Sequence, residues 1–95
     1  MYNEHHFKLN PELRPFIREA RAYYKKCYTE TPGSQWRKNL SNLKYFEAYE
    51  FALDGYPMQV IADYLKMSVK TTRPQIIRTQ GKIEQYLKLK ELGRL

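Results

Sequence analysis

Five basic side chains lie between Tyr64 and Ile83, and no acidic residue falls in that interval. They are Lys66, Lys70, Arg73, Arg78 and Lys82. The chain has a net charge of +7, of which residues 55–95 carry +5 (eight Lys/Arg against three Asp/Glu) and residues 1–54 carry +2 (nine against seven). Such a block suits a polyanion, most commonly nucleic acid, although a solvated basic surface would give the same charge pattern.

Polar side chains of this segment could contact DNA in two ways. Arg can hydrogen-bond guanine through two donors and Gln can do the same with adenine, so the candidates for base contacts are Arg73, Gln75 and Arg78. Ser, Thr and Lys typically hold phosphates. The candidates for phosphate contacts are Lys66, Ser68, Lys70, Thr71 and Lys82. The alternative is that all these residues form the solvated side of a helical domain.

Other chemistry has little support in the sequence. Cys27 is the single cysteine, so an internal disulfide is excluded, and no Cys/His spacing suggests a zinc site. His5 and His6 form at most a weak metal site, in an N-terminal segment (residues 1–10) that we expect to be flexible. A nucleophile with a partner base and a glycine-rich phosphate loop are both missing. We therefore expect a protein that is not an enzyme and that has no cofactor or metal.

The composition predicts one small folded domain. The chain has 95 residues, of which 42% are hydrophobic and 15% aromatic, too many for a disordered chain. A domain of this size buries only slightly more than ~60% of the surface of the unfolded chain, which leaves little room for a large buried active site. No secretory signal and no window near the ~18 apolar residues of a membrane span is present. We expect a cytoplasmic protein with no membrane association.

The apolar periodicity predicts an all-α fold of about four helices, with no convincing strand. The predicted helices cover residues 11–29 and 42–54, residues 57–65, and a last helix that begins between 68 and 72 and runs to about 92. Asn10 is the predicted N-cap of the first helix, and Pro15 delays its regular start by a turn. Gly55 ends the second helix. A TPGS turn (residues 31–34) separates these two helices, and Trp36 anchors the connection.

Each predicted helix has a stripe of residues that we expect to be buried. The stripe of the first helix is Leu13, Phe16, Ile17, Ala20, Tyr24 and Cys27; that of the second is Leu43, Phe46, Tyr49, Ala52 and Leu53. The stripe of the third is Met58, Ile61, Tyr64 and Leu65; that of the last is Val69, Thr72, Ile76, Thr79, Ile83 and Leu87. The opposite side of the last helix is polar and basic.

Residues 61–74, IADYLKMSVKTTRP, have the pattern of two short helices joined by a tight turn. Ala62 has only a methyl group at the helix crossing, and Met67 fills the space between the two helices. Ser68 can cap the following helix by accepting from a free N–H. These three residues together fix the crossing angle.

Residues 55–83 resemble the helix-turn-helix of LuxR-type response regulators and of the promoter-reading domain of sigma factors. The match lies in Gly55, the Ile61–Ala62 pair, Leu65, Met67, Ser68, the Lys70–Thr71 pair, Ile76 and Ile83. The resemblance implies a single domain (residues 1–95) in which two helices (11–54) support a helix-turn-helix (57–83), with the last helix continuing to about residue 92. It also implies that this last helix, after Ser68, enters the major groove of double-stranded DNA.

Three residues depart from the family pattern. Lys66 stands where many such turns have glycine, and Thr72 replaces the usual buried aliphatic residue. Pro74 falls inside the recognition helix, where proline costs about 3 kcal/mol, but it would be nearly free of penalty in the first turn. We therefore predict an irregular turn up to Thr71 and a regular helix from about Thr72. That start shifts the base-reading role from Lys70 and Thr71 towards the three base-contact candidates.

The function that these patterns predict is sequence-specific binding of double-stranded DNA by a small transcription regulator, of the kind that phages, plasmids and other mobile elements carry. We expect a homodimer on a two-fold repeat, because a domain of this size reads one half-site. The predicted dimer surface is the apolar remainder of the first or the last helix, where Ile77, Tyr86, Leu89 and Leu92 exceed what one stripe requires. The alternative is a protein-binding module with a sigma-like fold that docks on RNA polymerase or on a phage or plasmid replication or packaging complex.

Overall fold

The structure is a computed structural model that describes residues 8–30 and 40–94. These residues form four α-helices and one 3-10 helix, and no strand occurs among them, so the predicted small all-α fold is confirmed. The helices are α1 (Ile17–Glu30), α2 (Lys44–Leu53), α3 (Met58–Leu65) and α4 (Val69–Glu91). Within the same residues no helix combines the length and the apolar character needed to cross a membrane. His5, His6, the TPGS turn and Trp36 lie outside the described residues.

The N-terminal helical stretch is split into two parts. Residues Pro11–Phe16 form a 3-10 helix, and the α-helical part begins only at Ile17. Asn10 is the N-cap, since its side chain accepts from the Glu12 backbone N–H at 3.1 Å. Pro15 lies inside the 3-10 helix, where it has no N–H to give to a helical bond. The delayed start follows from that missing donor.

The core lies around α4, which contacts α1, α2, α3 and the 3-10 helix. Four of the six residues on the predicted inward face of α4 are buried, namely Thr72, Ile76, Thr79 and Ile83, whereas Val69 and Leu87 are half-buried. The other elements contribute buried side chains at three- and four-residue steps: Leu13, Ile17, Ala20, Leu43, Phe46, Tyr49, Ile61 and Leu65. Burial of one large aliphatic side chain stabilises the fold by about 1.5–3 kcal/mol, so this shared core fixes how α3 and α4 are placed.

A polar network ties α4 to the start of the described chain. The Tyr49 hydroxyl donates to Oε1 of Gln80 at 2.5 Å, and the Asn10 backbone N–H donates to the same oxygen at 3.2 Å. Nε2 of Gln80 in turn donates to the Lys8 carbonyl at 3.2 Å. Burial raises the pKa of Tyr49, which keeps its phenol protonated as the donor. The network joins three segments that are far apart in sequence.

Two tyrosines differ from their predicted burial: one predicted at the surface is buried, and one predicted in the core is exposed. Tyr86, predicted at a dimer surface, is buried, because α1 covers it: its ring centroid lies 5.3 Å from that of Tyr23, and its hydroxyl bonds to Glu19. Tyr64, predicted to point inward, is 52% exposed. The short α3 buries Ile61, Ala62 and Leu65 instead, and Tyr64 lies off that stripe.

Candidate nucleic-acid interface

The connection between α3 and α4 consists of three residues, Lys66, Met67 and Ser68. Lys66 adopts the left-handed conformation, with φ 58° and ψ 44°. The Met67 N–H bonds to the Ala62 carbonyl at 2.9 Å and the Lys66 N–H to the Asp63 carbonyl at 3.1 Å, the pattern of a Schellman motif. Glycine is favoured in this left-handed conformation because it has no Cβ atom, and any other residue there costs about 1–2 kcal/mol.

Ser68 caps α4 and sets its first residue. Its backbone is extended, its Oγ accepts from the Thr71 N–H at 3.1 Å, and its carbonyl accepts from the Thr72 N–H at 2.9 Å. The helix therefore begins at Val69, and the prediction of an irregular turn up to Thr71 is wrong. A side-chain cap that satisfies a free N–H is worth about 1 kcal/mol, so it favours the early start. Fully buried Thr72 is also satisfied, because its hydroxyl donates to the Ser68 carbonyl at 2.8 Å.

Pro74 is accommodated inside the helix and not in its first turn. It is the sixth residue of α4 and has no N–H to offer the Lys70 carbonyl. The expected penalty is about 3 kcal/mol. Thr72 and Ile76 are fully buried on either side of it, and burial of an isoleucine side chain alone contributes about 1.5–3 kcal/mol. Packing of α4 against the core thus offsets the proline.

Four of the six predicted DNA contacts on α4 share one face of the helix. Thr71, Gln75, Arg78 and Lys82 follow at steps of four, three and four residues, which places them within about 60° of each other around the helix. We call these four residues the basic stripe. Arg73 lies about 160° from Gln75 around the helix, at the edge that also holds Lys70. Of the three base-contact candidates, Gln75 and Arg78 therefore share a face with Thr71 and Lys82, and Arg73 does not.

Exposure separates the candidates further. Those exposed to solvent are Lys66, Ser68, Lys70, Thr71, Arg73 and Arg78, whereas Gln75 and Lys82 are half-buried. Nζ of Lys82 donates to the Tyr28 hydroxyl at 3.4 Å and lies 6.0 Å from the centroid of that ring. The Tyr24 hydroxyl also donates to the Lys82 carbonyl at 3.1 Å. Contacts with α1 therefore hold Lys82 in place at the end of the basic stripe.

The structure also contains a surface that the sequence reasoning missed. An apolar groove lies between α2 and α3 and is lined by Phe51, Tyr56, Val60, Ile61 and Tyr64. The signal for it was present in the sequence, since Val60 and Tyr64 are one helical turn apart and off the stripe of Ile61 and Leu65. The prediction that Tyr64 points into the core leaves Val60 as a single exposed apolar residue, and therefore does not indicate a groove.

No cluster of three or more His, Cys, Asp or Glu side chains able to hold a metal ion occurs in residues 8–30 and 40–94. A comparison of the chain with protein-family models, with curated proteins and with solved structures finds no match.

Proposed function

We propose that the chain is a sequence-specific double-stranded DNA-binding protein, a small transcription regulator that inserts the first half of α4 into the major groove. The observation that carries this proposal is the basic stripe, which runs along α4 about 90° around the helix from the centre of its buried face. No acidic residue occurs on α4 before Glu84. A helix of this kind offers phosphates and bases a continuous polar surface without like-charge repulsion.

The dimensions of α4 support this role. The helix has 23 residues and is therefore about 35 Å long, and the major groove of B-DNA, about 12 Å wide, admits an α-helix. Its capped N-terminus exposes Ser68, Lys70 and Thr71. Helix N-termini favour phosphate because of their N–H groups and dipole. Lys66, exposed in the preceding turn, adds a positive charge beside the same end.

Within this proposal Arg78 is the principal base-reading residue. It is exposed and lies in the middle of the basic stripe, and its guanidinium can bond guanine through two donors. Gln75 reads a base at the half-buried edge of the stripe. Arg73, on the other edge with Lys70, is better placed to contact a phosphate of the groove wall than a base.

The same proposal includes a homodimer on a two-fold repeat. Half-sites are about 34–36 Å apart on DNA, and the domain measures 34 × 30 × 26 Å, so two copies fit side by side on one face of the duplex. Tyr86 is excluded from the dimer surface because it is buried. The surface would be formed by half-buried Ile77 and Leu89 and by Leu92, which is 58% exposed.

The second candidate function is a protein-binding module that docks on RNA polymerase or on a replication or packaging complex. The apolar groove between α2 and α3 favours it, because contiguous exposed apolar surface is typical of protein-binding sites. This function requires no affinity for duplex DNA.

A salt titration of duplex binding separates the two candidates. The full chain is titrated into a fluorescein-labelled duplex between about 50 and 200 mM salt, where each neutralised phosphate contributes about 0.9 to the log-log slope. We expect a steep slope for the wild type and a weaker affinity for Arg78→Ala. Arg18→Ala, which removes an exposed arginine from α1, is the matched control and should bind like the wild type. Absence of duplex binding at low salt would rule out the DNA-binding proposal.

A further inference from the structure

The groove between α2 and α3 has aromatic walls and a volume of about 210 Å³. The Phe51 ring meets Tyr56 at a centroid distance of 5.4 Å and Tyr64 at 5.2 Å, in both cases edge to face. Tyr56 and Tyr64 are each 52% exposed, and Val60 is 47% exposed. Three of the five large hydrophobic residues exposed in the described part of the chain therefore line this one groove.

The core of the fold does not include Val60 and Tyr64. Ile61, Ala62 and Leu65 already bury the inward side of α3, and Val60 and Tyr64 project away from it. Single exposed apolar residues are common on protein surfaces, but a contiguous set marks an interaction site. Tyrosine is among the residues that contribute most binding energy at interfaces. The groove therefore has the composition of a docking site.

The segment that forms the groove is acidic between Lys44 and Lys66, which flank it. Residues 45–65 contain four acidic residues (Glu47, Glu50, Asp54 and Asp63) and no Lys or Arg, although the net charge of the chain is +7. Glu47 lies one helical turn before the groove residue Phe51 on α2, and its carboxylate raises the pKa of the Tyr64 phenol. Asp63 precedes Tyr64 and accepts from Nε2 of Gln59 at 2.9 Å. Of the four, Asp54 is paired with Arg14 at 2.6 Å, whereas Glu47 acts on the Tyr64 phenol and Asp63 is its neighbour in the chain.

These charges decide among the possible occupants. DNA is repelled by the carboxylates, and so is the same face of a second copy, because like charges across an interface cost free energy. A cationic protein segment is attracted. The groove is larger than a cavity of about 150 Å³ that binds benzene, so it has room for one large apolar side chain. None of its lining residues belongs to α4, so an occupant would leave the basic stripe uncovered.

We propose that the groove between α2 and α3 binds a cationic segment of a partner protein, which inserts one large apolar side chain between Tyr56 and Tyr64 and places Lys or Arg beside Glu47 and Asp63. This docking does not depend on DNA binding, because the two surfaces share no residue. A protein that bound both ligands would bring the partner to the DNA site.

The test is a selection of displayed random peptides of about 15 residues on the immobilised full chain, followed by affinity measurement with the enriched peptide made synthetically. We expect peptides in which Lys or Arg flanks one large apolar residue. Val60→Glu should weaken binding by at least about tenfold, as expected for an interface centre. Leu9→Glu, which charges an exposed apolar residue outside the groove, is the matched control and should bind like the wild type. Glu47→Gln should weaken binding and reduce its dependence on salt.

Circular dichroism checks that each variant retains its helices, and Tyr56→Ala, outside the helices, replaces Val60→Glu if that variant does not fold. Three results would overturn the proposal. They are no enriched peptide, enriched acidic peptides, or equal peptide affinity of the wild type, of Glu47→Gln, and of Val60→Glu or its replacement Tyr56→Ala. Self-association that Val60→Glu abolishes would also overturn it, since the occupant would then be a second copy.

Discussion

The side chain of Ser68 accepts a hydrogen bond from the Thr71 N–H at 3.1 Å and donates one to the Thr71 hydroxyl at 2.9 Å. This reciprocal pair fixes the first turn of α4, so that Lys70 and Thr71 are helical and exposed. The orientation of every later side chain of α4, Arg78 included, is set from this point by the advance of about 100° per residue.

Two substitutions of Ser68 should affect different properties, one the stability of the protein and the other its affinity for duplex DNA. Ser68→Ala removes the cap and should lower the free energy of unfolding by about 1 kcal/mol. Ser68→Asp keeps a capping oxygen and should be as stable as the wild type, but its carboxylate should weaken duplex binding by repelling phosphate. Urea unfolding and fluorescence anisotropy measure the two quantities. An unchanged stability of Ser68→Ala would show that α4 begins later.

Lys66→Gly should stabilise the protein, because glycine adopts the left-handed conformation of this turn without a steric cost. We expect a gain of about 1 kcal/mol in the free energy of unfolding. Lys66→Ala is the control, since it removes the same charge but keeps the Cβ atom. If the two variants are equally stable, Lys66 is not strained. Both should reduce the salt slope of duplex binding by about one if Lys66 contacts a phosphate.

Pro74→Ala should also stabilise the protein, because it supplies the N–H that the Lys70 carbonyl lacks and removes the clash of the proline ring. We expect about 2 kcal/mol, since the loss of proline also gives the unfolded chain more freedom. Gly81→Ala is the comparison on the same helix: a Cβ there meets nothing within 4 Å, and the gain should be only about 0.5–1 kcal/mol. A Pro74→Ala protein that melts below the wild type contradicts this account of α4.

The fold should lose stability in alkali between pH 10 and pH 12. Burial raises the pKa of both Tyr24 and Tyr86 to about 12, whereas a tyrosine of the unfolded chain titrates near 10. Below pH 10 both states are protonated and the stabilisation is complete; above it only the unfolded state loses protons, so unfolding becomes more favourable. Urea midpoints at pH 9 and pH 11 measure the loss, and Tyr24→Phe should show a smaller one. An equal loss in this variant would assign the effect to other groups.

The sequence was sufficient to predict the parts of the fold that depend on periodicity and local caps. Ile61, Ala62, Ile76 and Ile83 are fully buried as predicted, because positions three and four residues apart on a helix share a face. Gly55 has φ 92°, the left-handed conformation predicted where a helix must end.

The start of α4 could not be predicted in the same way. It depends on whether the free-energy cost of Pro74 inside a helix exceeds the stabilisation from burying Thr72 and Ile76 against other helices. The sequence shows the cost of the proline but not the contacts that bury these two residues. The burial of Tyr86 likewise depends on α1, which covers the C-terminal half of α4. How many residues of a helix are buried therefore depends on the helices packed against it, and the periodicity of its own sequence does not show this.

The residue types of the proposed DNA surface were predictable, but their arrangement was not. A helix starting near Thr72 leaves Lys70 and Thr71 outside α4, whereas the continuous helix puts Thr71 beside Arg78. In contrast, Arg73 and Gln75 lie about 160° apart around the helix whether it begins at Val69 or at Thr72, so this reduction of the predicted base contacts follows from the helical advance alone.

Sequence-specific DNA binding can be measured by selecting bound sequences from a random duplex pool. We expect the wild-type chain to enrich one motif with two-fold symmetry and half-sites about one helical turn apart, as for a dimer. Arg78→Ala should still retain duplexes through phosphate contacts but lose the preference at the position that Arg78 reads. A pool that stays random after repeated rounds with the wild-type protein would contradict sequence-specific DNA binding.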